Sequence, residues 1–375
     1  MRVVVAHEWL VRYAGSERVV EEILRTFPDA RLMTTVVEPG VLPSTLDRAE
    51  PSFLQHIPAA RRHHEWFVPL MPLAWRLRAP VRDADAVISS SHACAKAVRA
   101  APDVPHLCYC HTPMRYAWDF DAEEARFPAV VRPLAKAGMV GFRRWDRSTA
   151  ASVDAFIANS SAVAERIARF YGRAAQIIHP PVRTDYFFPE GERGDDFLYV
   201  GRLIGYKRPE LVVKAFTGLE QRLLVVGDGQ LGARLRSSAP PNVRFLGTVD
   251  DRELRALYRS ARALVYPAVE DFGIALAEAQ ACGTPVIGVS RGGARDIVED
   301  GITGWLLPEP SVESLRDAVR RAATEELDAA VIRRKAQRFA PARFRSEIAA
   351  ALDELLSRPR SRGGATSSRR DAHRR

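Results

Sequence analysis

Four cysteines in 375 residues, Cys94, Cys108, Cys110 and Cys282, are too few for a disulfide scaffold, and a reduced compartment is the simpler reading. Long apolar runs are missing as well. The N-terminus, MRVVVAHEWLVRYAG, offers only three valines before His7 and Glu8, short of a signal peptide. The longest apolar stretch, Phe67–Trp75, contains two prolines and falls far below the ~20 residues that span a bilayer. A cytoplasmic protein is therefore expected. Structural zinc wants two ligand pairs, and His106, Cys108, Cys110 and His111 have no second pair elsewhere. No Asp-x-Asp stands on a suitable loop, so no metal and no cofactor is required. The net charge of +9 lacks the aromatic-interleaved basic motif of a nucleic-acid binder. Part of that charge lies in the Arg-, Ser- and Gly-rich tail 358–375, which reads as disordered.

What is present describes a soluble α/β chain, with 47% hydrophobic and 27% charged residues, long enough for two domains. Strands are predicted at Arg2–Ala6, Arg31–Val37, Ala86–Ser89, Val104–Tyr109 and Ala155–Ala158. Helices are predicted at Glu17–Phe27, Ala93–Arg99 and Ala162–Tyr171. This alternation is that of a doubly wound lobe over 1–180. A Pro-, Gly- and charge-rich stretch, His179–Gly194, contains the linker 181–194. A second series fills 195–340, with strands at Phe197–Val200, Arg222–Val226, Val243–Leu246, Ala263–Tyr266, Pro285–Gly288 and Gly304–Leu307. Helices are expected between them and at Ser311–Ala323, Ala329–Arg338 and Pro341–Ser357. The last is a candidate to pack back across the first lobe. The fold class is thus α/β, two Rossmann-like αβα lobes facing across a cleft.

The densest chemistry lies in AVEDFGIALAEAQACGTPV, 268–286. Gly273 permits a tight turn, and the helix that follows offers unpaired N–H groups at Ile274 and Ala275. Such amides, at the positive end of the helix dipole, suit a phosphate. Glu278 stands about one turn into the helix, within reach of a ribose, and Glu270 precedes the turn, where it can face a sugar. Two solvated surface acids are the plainer alternative. In YVGRLIGYKRPE, 199–210, Arg202 and Lys207 follow a strand directly at its carboxyl end, where α/β folds bind ligands. Two cations there suit a diphosphate. Gly227-Asp228-Gly229-Gln230-Leu231-Gly232 fits a dinucleotide fingerprint nominally, but it follows the lobe's second strand and not its first.

In order along the chain stand Gly-Arg-Leu-x-x-x-Lys (201–207), Val-Gly-Asp-Gly (226–229), Glu-x7-Glu (270–278) enclosing Phe-Gly, Gly-Thr-Pro-Val (283–286) and Asp-Gly-x-x-Gly (300–304). As a set, over about 197–310, they resemble the donor lobe of retaining GT-B glycosyltransferases of family 4 (glycosyl transferases group 1). Ala-Gly-Ser-Glu (14–17), Ser-Ser-Ser-His (89–92) and Cys-Tyr-Cys-His-Thr-Pro-Met-Arg-Tyr (108–116) are similar to a subgroup that builds bacterial polysaccharides, mannosyltransferases included. The likeness then covers nearly the whole chain except the tail. It implies that Arg202 and Lys207 hold the donor diphosphate, Glu278 the ribose and Glu270 the donor-sugar hydroxyls. The amides of Gly273, Ile274 and Ala275 would meet phosphate and sugar, and His111 would project from the first lobe toward the reacting sugar. Gly15 would let a loop approach the diphosphate, although the family often has Gly where this chain has Ala14.

The expected reaction moves a hexose, with mannose and hence GDP-mannose favoured, from a nucleoside diphosphate sugar to a glycan or lipid-linked acceptor with retention. No residue stands out as a covalent nucleophile, and the resemblance favours same-face attack with the departing phosphate taking the proton. A nucleotide-sugar epimerase of the same fold and a non-catalytic carbohydrate-binding protein stay open as alternatives. The segment Arg61, Arg62, His63, His64, Trp66, Phe67, Leu70, Met71, Trp75 mixes basic and apolar residues. It reads either as peripheral contact with an anionic membrane or as an internal helix pair with a solvated basic corner.

Overall fold

The structure, a computed structural model, describes residues 1–119 and 132–358. Apart from Arg358, the tail read as disordered lies outside the described residues. Among the described residues, twelve strands form two six-stranded sheets. The first holds β1 (Val3–His7), β2 (Arg31–Met33), β3 (Ala86–Ser91), β4 (His106–Cys110), β5 (Ala155–Ala158) and β6 (Ala175–Ile177), in the order β2-β1-β3-β4-β5-β6. The second holds β7 (Phe197–Val200), β8 (Leu223–Val226), β9 (Val243–Gly247), β10 (Leu264–Val265), β11 (Val286–Val289) and β12 (Gly304–Leu307), in the order β12-β11-β10-β7-β8-β9. Every pairing is parallel.

Helices cover both faces of each sheet, so the inner strands are buried on both sides. All five residues of β1 and of β4 are buried. The order reverses between β1 and β3 in one sheet and between β7 and β10 in the other. Crevices outside the carboxyl ends of strands at such switch points are where α/β folds take ligands. The residues leaving β7 and β10 are Gly201 onward and Tyr266 onward, which brings the two densest motifs to one edge.

Two helices carry the geometry of the cleft. Gly15–Thr26 buries Val19, Val20, Ile23 and Leu24 against the first sheet. Its N-cap, Ala14, has no side-chain oxygen, and the Glu17 carboxylate instead accepts from the Ala14 N–H at 3.0 Å. Ile274–Ala281 is apolar nearly all round and almost wholly buried, as expected of a core helix, and starts at Gly273 with φ 100°. The closing helix Pro341–Ser357 lies in the first lobe's core, where Phe344, Ile348 and Leu352 join Val20 and Ile23.

One local expectation fails, and some elements stand where none is predicted. Ala93–Arg99 forms only a short 3₁₀ turn, Ala95–Ala97. Here the buried Glu8 carboxylate accepts from the N–H groups of His92, Ala93, Cys94 and Ala95 at 2.7–3.1 Å, bending the backbone around itself. The edge strand β6 is unannounced because two of its three residues are exposed. The 20-residue helix Arg132–Ala151 was likewise unread.

Candidate active site in the interlobe cleft

Between the lobes lies a cavity of about 440 Å³. Gly15 and His111 reach it from the first lobe, and Lys207, Glu270, Gly273, Ile274 and Ala275 from the second. Seven of the nine residues singled out from the sequence therefore line one cavity. The other two do not. Arg202 is exposed, and its guanidinium donates to the Tyr206 hydroxyl at 3.3 Å. Glu278 is buried behind the helix start, 6% exposed, and Arg18 of the first lobe donates to its Oε1 at 3.0 Å. Burial raises the Glu278 pKa, with Arg18 opposing.

The second-lobe wall is built from strand ends. A Cβ on Gly227, at φ 120°, would stand 2.1 Å from the Gly201 carbonyl oxygen, so the loops after β7 and β8 meet backbone to backbone. This fixes the loop that carries Lys207. The Lys207 ammonium lies 2.8 Å from Glu270 Oε1 and 2.8 Å from the Tyr266 hydroxyl, which itself donates to Glu270 at 2.7 Å. Burial alone would raise the Glu270 pKa, but Lys207 and the two hydrogen bonds outweigh it and hold the carboxyl below its ordinary value. Glu270 is therefore ionised at neutral pH. Beside it, the N–H groups of Ile274 and Ala275 donate to nothing among the described residues. The wall thus offers the Lys207 ammonium, the Glu270 and Asp271 carboxylates and free amides at a helix N-terminus.

On the first-lobe wall, Gly15 sits so close to Ile274 that a Cβ would meet its Cδ1 at 2.6 Å. His111 follows β4; its N–H donates to the Ser91 carbonyl at 2.8 Å, and its Nε2 is 2.8 Å from Ser90 Oγ. Burial, with His92 and His7 adding to it, lowers the His111 pKa well below 6.5. The ring faces the cleft neutral, as a hydrogen-bonding group and not as a cation. His106, which had invited a metal reading, spends its Nε2 on Ser89 Oγ at 2.8 Å. Among the described residues no group of three or more His, Cys, Asp and Glu is placed to hold a metal.

Several residues that set the cleft were not singled out. Arg115 donates from Nε and Nη2 to Asp271 Oδ2 at 3.0 and 2.6 Å, across the lobes. Burial raises the Asp271 pKa and Arg115 opposes it. Asp296 accepts from the Ser161 N–H at 2.7 Å, a further cross-lobe tie. Gly292 and Gly293 press the loop after β11 onto the Glu270 and Phe272 backbone, where added Cβ atoms would come within 2.3 Å. The available signal is the Gly-Gly pair, separated from the end of β11 by two residues.

The family model described as Glycosyltransferase Family 4 matches residues 13–186, and that described as Glycosyl transferases group 1 matches 183–339. D-inositol 3-phosphate glycosyltransferases of Mycobacterium bovis and Mycobacterium tuberculosis are 30% identical over 44% of this chain. The chain spans 40% of the length of those relatives. Among solved structures, Anabaena HepE in complex with UDP and glucose superposes with a TM-score of 0.68 at 16% identity, covering 94% of this chain and 100% of that one. Sucrose-phosphate synthase from Thermosynechococcus elongatus superposes with a TM-score of 0.70 at 20% identity, covering 95% and 99%. The two family models match the two lobes in tandem, and the two sheets superpose as a pair on these structures: the chain has the GT-B fold.

Proposed function

We propose that this chain is a retaining hexosyltransferase that takes mannose from GDP-mannose and places it on a glycan or lipid-linked acceptor. One observation carries the reading: unpaired helix-start amides and the Lys207–Glu270 pair face His111 and Gly15 across one cavity. The donor diphosphate lies against the amides of Gly273, Ile274 and Ala275 and the Lys207 ammonium. As the bond from the sugar C1 to phosphate breaks, negative charge grows on the leaving oxygen where these donors already point. One such preorganised donor contributes about 10²–10³ in rate. Glu270, ionised, accepts from donor-sugar hydroxyls, and neutral His111 hydrogen-bonds the sugar from the opposite lobe. The acceptor oxygen bonds to C1 from the face the phosphate leaves, and its proton passes to the departing phosphate. The carboxylate pair of glycosidases has no counterpart here, since Glu270 is paired with Lys207 and Glu278 with Arg18.

Mannose and the guanine base rest on the likeness of 108–116; the solved relative HepE is a complex with UDP and glucose, which makes the base the first thing to measure. Incubating the full chain with UDP, GDP and ADP sugars and following nucleotide release tests the donor. The anomeric configuration of the product, read by NMR, tests retention. Turnover of no nucleotide sugar would sink the reading, and an inverted product would sink its stereochemistry.

No helix among the described residues is long and apolar enough to cross a membrane. The proposed membrane contact is peripheral, at the cytoplasmic face, through segment 61–75. Trp66, Leu70 and Leu73 there are 77%, 41% and 44% exposed beside Arg61 and Arg62, while Met71 and Trp75 are core residues. Failure to sediment with anionic liposomes at low salt would remove this contact.

A further inference from the structure

A second cavity, of about 680 Å³, adjoins the first and shares Glu270 and Asp271 with it. Arg115, Trp118, Arg143 and Arg166 wall it from the first lobe, and Tyr206 and Arg208 from the second. Four arginines stand against four carboxylates, Asp119, Glu165, Glu270 and Asp271, yet the charges do not cancel locally. Arg115 is held by Asp271 at 2.6 Å and Arg166 by Asp119 at 2.5 Å. The other two acids face cations outside the cavity, Glu165 pairing with Arg295 at 2.8 Å and Glu270 with Lys207 at 2.8 Å. Arg143 is left with a carbonyl, donating from Nε to Ala117 O at 2.5 Å. Arg208 makes no side-chain hydrogen bond or ion pair among the described residues. Two guanidiniums in one cavity thus have no carboxylate partner among the described residues.

The backbone at Arg208 points the same way. It sits at φ 53°, ψ 39°, a left-handed conformation that glycine adopts freely and arginine adopts at a cost. A long, unpaired cation is therefore held at a position where a residue without a side chain would fit the chain better. Strain of this kind collects at functional sites.

We propose that this second cavity is the acceptor subsite and that it takes an acceptor carrying an anionic group, a phosphate ester or a carboxylate, between Arg143 and Arg208. The inference rests on the glycosyltransferase reading above. The shared wall puts an acceptor seated here next to the donor-sugar position, with Glu270 and Asp271 between its anion and the diphosphate. Guanidinium forks match both phosphate and carboxylate in a bidentate manner, and a neutral sugar would bring neither an anionic partner.

The test uses the full chain saturated with nucleoside diphosphate, so that the diphosphate site is occupied. A hexose 6-phosphate, a hexuronate and a neutral methyl hexoside are titrated by calorimetry at low and at high salt. An anionic ligand is expected to bind about ten-fold or more tightly than the neutral one, with the advantage shrinking as salt screens it. The arm that wins, phosphate or carboxylate, names the source of the anion. Arg208→Gln and Arg143→Gln should each remove most of that advantage. Equal binding of neutral and anionic sugars, or an anion preference that survives both substitutions, overturns the proposal. Arg208 is exposed, so its variant carries the test even where Arg143→Gln does not fold. If nucleoside diphosphate itself fails to bind the unaltered chain, the glycosyltransferase reading falls first, a result distinct from intact nucleotide binding without anion preference.

Discussion

Removing the Lys207 ammonium separates its pairing with Glu270 from its proposed contact with the donor diphosphate. In Lys207→Ala, Glu270 loses a partner at 2.8 Å. At an effective dielectric of about 20, that contact has a Coulomb ceiling of ~6 kcal/mol. Both side chains are about one-sixth exposed, 16% and 18%, and Tyr266 still donates to Glu270. The net loss of stability at pH 7 should therefore be about 1–3 kcal/mol, less than for a fully buried pair.

The pH dependence of that loss has a definite sign. In the unaltered chain the Glu270 pKa is lowered, so its stabilisation is present above the unfolded value and lost as pH falls through the folded one. Without Lys207, burial dominates and the folded pKa rises above the unfolded value. The carboxyl then destabilises as pH rises, and the deficit of the variant is larger at pH 7 than at pH 4.5. Urea unfolding at both pH values reads this directly. In binding, the loss of one charge-assisted contact to a diphosphate should weaken nucleoside diphosphate by about 10–100-fold and leave the free nucleoside almost unchanged. Equal weakening of both ligands, or of neither, would refute the placement of Lys207 at the diphosphate.

Glycine substitutions should divide by what their new Cβ meets. Gly293→Ala drives a Cβ to 2.3 Å from the Phe272 Cα and carbonyl oxygen and should cost about 3 kcal/mol or more in urea unfolding. Gly15→Ala meets only the mobile tip of Ile274, and should change stability by less than about 1 kcal/mol while weakening nucleoside diphosphate binding. Acid should destabilise the first lobe early: burial lowers the pKa of His92 and His111 and takes His106 down to about 4. Between pH 6.5 and 4 the unfolded chain binds more protons at these rings, so stability should fall by up to ~1.4 kcal/mol per pH unit for each. Glu278 and Asp271, with raised pKa values, run the other way near the lower end of that range. A melting temperature that is flat from pH 7 to 5 would contradict the buried neutral histidines. Arg18→Ala should cost about 1–2 kcal/mol at pH 7 and less at pH 5, where Glu278 is more protonated, as thermal unfolding at the two pH values would show.

What the sequence discloses here divides along a physical line. Strands buried on both faces announce themselves as apolar runs, which is why β7, β5 and β12 lie where they were read. Turn chemistry and helix starts are also local, so Lys207, Glu270 and the Gly273–Ala275 amides were legible, being set within one lobe by the ends of β7 and β10. The stretch 93–99 has helical composition, and its misreading comes from Glu8, 84 to 87 positions away, drawing four N–H groups onto one carboxylate. The same distance effect governs the cleft. Arg115 and Asp271 are 156 positions apart, and Arg18 and Glu278 are 260 apart. Each residue alone looks like a solvated charge, and only the approach of the lobes makes them partners. Glu278 illustrates the consequence: its place one turn into the helix is correct, but its carboxylate is held by Arg18 instead of opening on the cavity. A ribose that reaches Glu278 must therefore displace Arg18 or be met by both. On the proposed function, nucleotide binding would in this way be coupled to a contact between the lobes, a coupling that no pattern within either lobe encodes.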